Sequence, residues 1–426
     1  MDIILVAVLG ALAAIMANRG IAVFNDGLRP VMPEFIEGRM SRQELAATAF
    51  AMSFGLVIGF GIPISLAASI ILIHSILLGT DIIGTSSPSG TAGYVVAGVI
   101  GAAYGAGLLL GMEFIVNLFA KLPVNFMGSL GAVSAPVVVA FAAFPALAVG
   151  MQYGYKKGLL TLALSIIARQ LAVLVNPIKM GTASINLNPE GSALIVGMIT
   201  LLIFAMAEKP SGESIDLAAI FSERMKRIKK HAPYLMVMGG LVAAATSYGL
   251  LAGDPISLNL MSEGNLTDAG FAALARAIGF VPLIASTAIA TGVYGPVGMT
   301  FVFAVGLFIN NPILAGIIGA VVIGIEVLLL DRIAFALDKF PGIRNSGENI
   351  RNAMTRLLEV ALLVGGMNAA NAMAPGIGFF LVAALYVIND IAGRPVVRMA
   401  VGPIAAIAVG IFINLLALLG LFTPPA

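Results

Sequence analysis

Long apolar stretches recur along the whole chain, and they restrict its fold more than any other feature of the sequence. In a bilayer every backbone N–H and C=O group must be bonded within the protein, so spanning segments are α-helices or strands of closed barrels. A helix crosses with roughly 17–25 predominantly apolar residues. The sequence predicts such helices at about 3–18, 46–74, 92–119, 157–175, 192–208, 233–252, 312–332, 356–374, 377–389 and 400–421.

Composition supports an all-α polytopic membrane protein, a single integral membrane domain over 1–426 with about 10 spanning helices. Hydrophobic residues make up 60% of the chain and charged residues 10%, whereas soluble domains carry about 25% charged residues. The chain has no Cys, which excludes disulfides and thiolate chemistry. Its first residues, MDIILVAVLG, lack a basic region, so we interpret them as an uncleaved first span.

Two apolar stretches are broken by prolines in a related way. The first, LPVNFMGSLGAVSAPVVVAF, covers 122–141, and the second, VPLIASTAIATGVYGPVGMTF, covers 281–301. Each begins with an apolar residue and a Pro, passes through small and hydroxylated residues, and reaches a second Pro, Pro136 or Pro296. Broken helices in a bilayer are tolerated only where they are buried in protein or line a wet cavity. Paired broken segments therefore indicate a transporter's binding site.

Basic residues predict the orientation of the chain. The loop 222–231, SERMKRIKKH, is the most basic, and the positive-inside rule places it in the cytoplasm. The loop 19–44 carries four Arg and belongs on the same side, whereas 75–91 carries no Lys or Arg and belongs outside. Both assignments hold only if the broken stretch 122–150 enters and leaves on the cytoplasmic face. We therefore predict that it is a hairpin, re-entrant or doubly crossing.

An inverted-topology repeat follows from the same assignment. Repeat A covers 92–208 with the hairpin 122–150, and repeat B covers 233–374 with the hairpin 281–310 on the outer face. The cytoplasmic basic linker 209–232 joins them. The two units would run through the membrane in opposite directions, as in many secondary transporters. A chance likeness between two stretches rich in Gly, Ala and Pro stays open as the alternative.

The hairpins supply the predicted substrate-binding residues. Hydroxyl and amide side chains that cluster at broken helices, beside free backbone N–H and C=O groups, favour a polar solute, although a single Ser or Thr usually bonds its own helical turn. A neutral or zwitterionic solute fits this set better than a polyanion. The predicted residues are Asn125, Ser129, Ser134, Ser286, Thr287, Thr291, Tyr294 and the nearby Asn368.

Two acidic residues within apolar stretches are candidates for coupling to H+ or Na+. Glu326 lies deep in GAVVIGIEVLLLDR, and Glu113 lies in GMEFIVN. A carboxylate inside the membrane is costly unless it binds a cation, a proton or an Arg. Arg332 is too far along the helix to pair with Glu326, whereas Arg169 on another helix remains a possible partner. A buried ion pair or a helix-end position is the structural alternative for both acids.

Motifs of other function classes are missing from the sequence. It has no Walker P-loop, no HExxH and no paired Cys/His pattern. We therefore expect no enzyme activity, no cofactor and no metal site.

Several segments resemble the YhfT family of bacterial inner-membrane proteins, nearly from end to end. They include AVFNDGLRPVMPEFIEGRMSRQE, AVVIGIEVLLL, ENIRNAMTRLLEVALLVGG and both broken stretches. The resemblance implies a polytopic transporter of the bacterial inner membrane. Genes of this family often lie beside genes for pyridoxal-phosphate enzymes and a phosphotriesterase-like hydrolase, which implies a small amino-group-bearing metabolite.

The sequence thus predicts a secondary active transporter of a small polar metabolite with an elevator-like or rocking mechanism. Its expected partners are a small-molecule substrate, membrane lipid and a coupling ion, without nucleic acid. The glycine-rich stretch 101–111 is a candidate packing seam, within the protomer or in a homodimer. Two alternatives stay open: the membrane subunit of a phosphotransferase-type sugar uptake system, and a membrane-embedded enzyme.

Overall fold

The computed structural model describes residues 2–119, 121–124, 127–176, 178–180, 183–185, 187–208 and 217–423. Four short strands accompany the helices: β1 (Ile71–Leu72), β2 (Ile178–Met180), β3 (Ala183–Ile185) and β4 (Leu251–Ala252). The helices are α1 (Asp2–Asn18), α2 (Met32–Ile36), α3 (Arg42–Leu56), α4 (Ile62–Ala68), α5 (Ile73–Ser86), α6 (Gly90–Phe119), α7 (Met127–Leu130), α8 (Ser134–Tyr153), α9 (Tyr155–Val175), α10 (Pro189–Ala207), α11 (Leu217–Lys230), α12 (Ala232–Ser247), α13 (Pro255–Ser262), α14 (Leu266–Thr291), α15 (Phe301–Phe308), α16 (Pro312–Lys339), α17 (Pro341–Met373), α18 (Gly378–Ile391) and α19 (Arg398–Leu418).

The protein is an all-α, multi-pass membrane protein, as the sequence predicts. A π-helical turn, Val57–Gly61, joins α3 to α4. Within the described residues, three shorter apolar helices, α1, α12 and α18, accompany 8 helices that are long and apolar enough to cross a membrane. Those eight are Arg42–Ala68, Gly90–Leu118, Tyr155–Val175, Pro189–Ala207, Leu266–Thr291, Pro312–Ala334, Asn345–Met373 and Arg398–Leu418.

Two halves of the chain repeat the same packing. In the first, α1 lies so close to α6 that a methyl group on Gly10 would sit 2.3 Å from the Gly101 carbonyl oxygen. In the second, α12 lies as close to α16, and a methyl group on Gly319 would sit 2.9 Å from the Gly239 carbonyl oxygen. Likewise α8, α9 and α10 pack on one another as α17, α18 and α19 do. The first unit is therefore α1–α10 and the second is α12–α19.

The breaks between helices repeat as well. The chain leaves α1 through Gly20 and α12 through Gly249, and both glycines have positive φ, 62° and 74°. The extended backbone that follows then pairs with the other unit: Ala22 forms a parallel bridge with Tyr294, just before α15. Correspondingly, β4 pairs in parallel with β1, just before α5. Each unit thus contributes one backbone segment to each of these two parallel pairings.

Equivalent helices run in opposite directions. Arg19 donates to the Tyr234 hydroxyl at 3.1 Å, and Arg227 donates to the Gly20 carbonyl oxygen at 2.7 Å. The last turn of α1 therefore lies beside the first turn of α12, so the repeat has inverted topology. The second unit begins at α12 and the first at α1, whereas the predicted repeats cover 92–208 and 233–374.

The predicted first hairpin, 122–150, is mostly one long helix in the structure. Its main helix, α8, has 20 residues and spans about 30 Å. Val133, just before α8, contacts Gly365 near the end of α17, whereas Gln152 donates to the carbonyl oxygen of Gly342 at the start of α17. The two ends of α8 thus lie near opposite ends of α17 and the helix does not turn back, because Pro136 lies in its first turn, where a helix tolerates Pro.

Most of the predicted outer loop 75–91 is helix α5. Arg42 donates to the carbonyl oxygen of Ser87 and to the hydroxyl of Ser89, each at 2.9 Å, so residues 87–89 lie at the same end as 19–44. The predicted span 46–74 breaks at Ser69, whose φ is 56°, and α5 returns over only 14 residues. The differences at 75–91 and at 122–150 cancel in the order in which the helices alternate in direction. Residues 19–44 and α11 therefore still lie at the same end.

The second broken stretch, 281–310, does turn back. The ring of Phe271 near the start of α14 lies 5.2 Å from that of Phe308 at the end of α15. Between these helices the chain breaks over 292–300, where Gly292, Gly298 and Thr300 have positive φ.

This arrangement makes a topology prediction. Cysteines placed at the exposed positions Ser89 and Lys226 should react with an impermeant thiol reagent from the same face, and by the positive-inside rule from the cytoplasmic one. A cysteine at the exposed Asn265 should react from the opposite face. Labelling of Ser89→Cys from the same side as Asn265→Cys would contradict the chain path, and the Cys-free parent is the control.

Candidate functional site

A cavity of about 460 Å³ lies where the two units meet, within the usual size range of small-molecule pockets. We call residues 19–31, between α1 and α2, the first break, and residues 292–300 the second break. Both breaks line this central cavity, together with the π-helical turn, the start of α5, α14, the first half of α17 and the start of α19. π-helical turns frequently occur at functional sites.

The walls of the central cavity are mostly apolar, with a few convergent polar groups. Side chains such as Phe24, Phe60, Phe280, Leu283 and Leu358 form the apolar part. The polar and charged lining residues are Asn25, Asp26, Arg29, His74, Arg276, Thr300, Arg351 and Thr355. Arg351 is partly exposed and Thr355 is exposed, so they mark the rim. This combination is typical of solute-binding pockets.

Arg29 ties the first break to α14. Its side chain is only 2% exposed. It forms an ion pair with Asp26, donates to the hydroxyl of Thr287 at 2.5 Å and donates to the carbonyl oxygen of Phe24 at 3.3 Å. Its Nε has no partner. One guanidinium therefore joins two elements that are far apart in sequence, and one of its buried donors is left without a partner.

Asp81 on α5 fixes the backbone of the first break. Its buried carboxylate accepts the backbone N–H groups of Phe24 at 3.0 Å and Asn25 at 2.8 Å. The side chain of Asn25 in turn donates to the hydroxyl of Ser53 at 2.9 Å and accepts the N–H of Gly27 at 2.8 Å. These bonds replace those that a helix would supply, so the non-helical backbone is held in one shape.

Arg276 on α14 is a buried cation without an acid partner among the described residues. Its side chain is 4% exposed, and neither Nε nor Nη1 has a hydrogen-bond partner. The guanidinium carbon lies 4.9 Å from the ring centre of Phe280 and 5.8 Å from that of Phe303. Cation–π contacts compensate only part of the lost hydration of a buried charge.

Further residues that line the same cavity carry unpartnered polar atoms. His74 Nδ1 and Thr300 Oγ1 are buried and have no hydrogen-bond partner. The imidazole packs edge-on against the rings of Phe24 and Phe60, 5.1 and 4.9 Å away. Buried polar groups in native proteins are nearly always hydrogen-bonded. Four side chains with unsatisfied atoms around one cavity, Arg29, His74, Arg276 and Thr300, therefore point to a polar ligand.

Glu326 lies directly behind the second break. Its side chain is 5% exposed, and Oε2 accepts the hydroxyl of Tyr294 at 2.8 Å and the N–H of Met299 at 2.7 Å. Oε1 has no partner. A methyl group on Gly298 would sit 2.2 Å from Oε2, so only glycine fits between the carboxylate and the cavity.

No Lys or Arg of the described part of the chain pairs with Glu326. Arg169, which sequence reasoning considered as a partner, pairs instead with Glu190 at 2.8 Å. The carboxylate therefore depends on neutral donors from the second break.

The predicted residues of the second stretch fall into two groups. Thr287 accepts a hydrogen bond from Arg29, and Tyr294 donates one to Glu326. Both residues therefore stabilise the walls of the central cavity. Ser286 and Thr291 instead donate to carbonyl oxygens of their own helix, at 3.2 and 2.7 Å. Neither residue lines the central cavity, so the cavity does not support their predicted contact with substrate.

The remaining predicted residues lie elsewhere. Ser129 is half-buried in α7, Asn368 is exposed on α17 and Glu113 is exposed on α6; none of the three lines the central cavity. Asn125 and the side chain of Ser134 lie outside the described residues. At the central cavity the second broken stretch meets the first break, and none of the described residues of 122–150 lines it.

Sequence reasoning missed the charged residues of the site. Asn25, Asp26 and Arg29 belong to FNDGLRPV, residues 24–31, and none of them is among the predicted substrate-binding residues. Arg276 was a detectable signal, since it is a lone cation in the apolar run FAALARAIGFVP. Within the described residues, no group of three or more His, Cys, Asp or Glu side chains is placed to hold a metal ion.

Comparison with known proteins gives two matches. The sequence model of the YhfT family, described as a protein of unknown function, matches residues 2–422. The chain is 39% identical over 440 aligned residues to "Uncharacterized protein YhfT" of Escherichia coli (strain K12), and the alignment covers 99% of both chains. No solved structure matches.

Proposed function

The chain belongs to the YhfT family, and we propose that it is a secondary transporter that moves a small polar metabolite through the central cavity. One observation carries this proposal: two breaks from inverted repeat units enclose a cavity in which four side chains have unsatisfied polar atoms. Discontinuous helices that meet between inverted repeats are the typical binding site of secondary transporters. The bacterial inner membrane is the proposed location, in line with the family resemblance.

The packing suggests how the site would be exposed alternately. A first bundle contains both breaks and consists of α1, α3–α6 and α12–α16. A second bundle consists of α8–α10 and α17–α19. The central cavity lies between them, because α17 and α19 contribute lining residues such as Leu358 and Met399. An elevator-like or rocking movement of the first bundle against the second would carry the solute across.

Glu326 is the proposed coupling residue. It sits beside the second break, has one unpartnered oxygen and lacks a cationic partner in the described chain. Binding of H+ or Na+ there would change the charge behind the cavity wall. Glu113 does not take part in this proposal because it is exposed on α6.

A homodimer is a separate part of the proposal. In the glycine-rich stretch 101–111, Gly101 and Gly105 pack against α1, whereas Gly107 and Gly111 have no atom within 4 Å of an added methyl group. These two glycines leave room for a neighbouring helix of a second copy.

Counterflow in reconstituted vesicles tests the transport proposal. Vesicles loaded with a mixture of unlabelled small carboxylates, amines, amino acids and sugars should take up a labelled member of the mixture without ATP or phosphoenolpyruvate. Uptake that requires phosphoenolpyruvate would favour the phosphotransferase alternative, and chemical conversion of the solute would favour an enzyme. Protein-free vesicles are the control.

Gly298→Ala should abolish counterflow. The added methyl group would meet the Glu326 carboxylate and would also strain a backbone with a φ of 56°. Gly150→Ala is the matched control, since that position is helical and an added methyl group would lie at an ordinary contact distance of 3.6 Å from the Cα of Gly158, and it should transport like the parent. Purified Gly298→Ala should still elute as a folded protein in detergent. Normal counterflow by Gly298→Ala would show that the second break does not shape the transport site.

A further inference from the structure

The free polar atoms of the central cavity are predominantly donors. Arg29 Nε, Arg276 Nε and Arg276 Nη1 can only donate, whereas His74 Nδ1 and Thr300 Oγ1 can donate or accept. A ligand that satisfies this set must bring acceptor oxygens.

Among the guanidinium groups that line the central cavity, that of Arg276 is the one without an ion pair to a described residue. Arg29 is neutralised by Asp26. At the rim, Arg351 lies 3.9 Å from Glu348. Arg276 forms no ion pair with any described residue. The carboxylate of the nearby Asp254 instead accepts the N–H of Ser257 at 2.8 Å and the hydroxyl of Ser257 at 2.6 Å. A ligand carboxylate would give this guanidinium the ion pair that the described residues do not supply.

Two helices also direct their N-termini at the central cavity. His74 lies in the first turn of α5, and Thr300 immediately precedes α15; both residues line the cavity. The N-terminus of a helix carries a partial positive charge and favours anions. Together with the buried, unpartnered Arg276 side chain, this arrangement favours an anion at one place between α5, α14 and α15.

We infer that the central cavity binds a small monocarboxylate with an apolar body, whose carboxylate contacts the guanidinium of Arg276. The apolar walls formed by Phe24, Phe60 and Phe280 would hold the rest of the molecule. The inference rests on the proposed function, since it names the class of solute that the same cavity would carry. It also replaces the expectation of a neutral or zwitterionic solute.

Ligand binding by the purified full-length protein tests the charge and the class. Acetate, butyrate, 4-methylpentanoate and benzoate are each compared with the corresponding primary amide, by calorimetry and by the shift of the melting temperature. At least one carboxylate should bind, and its amide should bind at least about tenfold more weakly because it lacks the charge.

Three results of the same series would overturn the inference: no carboxylate binds, an amide binds as well as its acid, or leucine binds better than 4-methylpentanoate. The last pair differs only by the ammonium group and therefore separates a monoanion from a zwitterion. Chloride and inorganic phosphate are included as well, and binding of these ions alone would refute the organic solute.

Arg276→Met tests the named contact. Methionine fills the apolar space beside Phe280 but removes the charge, so carboxylate binding should fall at least about tenfold. The ligand-free variant should melt at least about 2 °C higher than the parent, because it no longer buries an unpaired cation. A residue with a purely structural role would show the opposite shift.

Arg332→Met is the matched control, because Arg332 is exposed on α16 and outside the cavity lining. It should change neither binding nor melting. If Arg276→Met does not fold, Arg276→Lys keeps the charge without the planar fork, and it should weaken carboxylate binding measurably. Unchanged binding in both Arg276 variants would overturn the contact.

Vesicle experiments distinguish a failure of this inference from a failure of the proposed function. A carboxylate that binds to the purified protein but shows no counterflow would refute transport of this class and leave the binding site intact. Counterflow of a neutral solute, without carboxylate binding, would support a transporter and refute the anion site.

Discussion

Glu326→Gln is expected to abolish gradient-driven accumulation of solute while counterflow across vesicles stays within about twofold of the parent. Gln keeps the shape of the side chain and can still accept the N–H of Met299, so the second break should hold its conformation. It can no longer bind a proton or a cation as a carboxylate does. Transport would then continue without using the ion gradient.

The measurement compares uptake driven by an imposed H+ or Na+ gradient with solute exchange at equilibrium. Glu113→Gln is the matched control, because it removes an acid that sequence reasoning also favoured but that is exposed on α6. It should accumulate solute like the parent. If Glu326→Gln accumulates solute as well as Glu113→Gln does, Glu326 is a structural residue that supports the second break.

Local patterns in the sequence were enough to predict the fold class and one of the two breaks. The second break has Gly292, Pro296 and Gly298 within a few residues, and no helix continues through such a segment. The first break was harder to recognise, because 19–31 has only one Gly before FNDGLRPV and its single Pro starts a short helical turn. Its extended shape depends on Asp81, which lies on another helix.

The first repeat was predicted at 92–208 rather than at α1–α10 for a related reason. Pro136 suggested a break equivalent to that at Pro296, yet a Pro in the first turn of α8 costs the helix no hydrogen bond. The equivalence that the structure reveals instead links Gly20 with Gly249 and Gly10 with Gly239, where close packing or a positive φ requires glycine. Such isolated matches are difficult to separate from the high glycine content of the chain.

The site itself was only partly accessible from sequence. Thr287, Tyr294 and Glu326 could be predicted because they lie in or near the second broken stretch. Arg29 and Thr287 are 258 positions apart, and nothing in either segment indicates the other. That Arg276 has no ion pair became visible only when the surrounding side chains were in place, since the sequence cannot show which acids pair with which cations.

Asp81→Ala is expected to lower the free energy of unfolding by about 2–6 kcal/mol and to abolish solute binding. The substitution leaves the buried N–H groups of Phe24 and Asn25 without an acceptor, and each unsatisfied donor costs about 1–3 kcal/mol. The first break would then relax, and Arg29, which lies in it, would lose its position relative to Thr287.

Stability in detergent, measured by thermal melting and by titration with SDS, checks this prediction. Asp81→Asn retains one acceptor oxygen and should lose clearly less stability than Asp81→Ala. Asp331→Ala is the control for removal of an acid: Asp331 forms an exposed ion pair with Lys229, and such pairs contribute less than about 1 kcal/mol. Equal stability of Asp81→Ala and Asp331→Ala would mean that the first break keeps its shape without the carboxylate. The two N–H groups would then have other acceptors, and the cavity wall would depend on Arg29 alone.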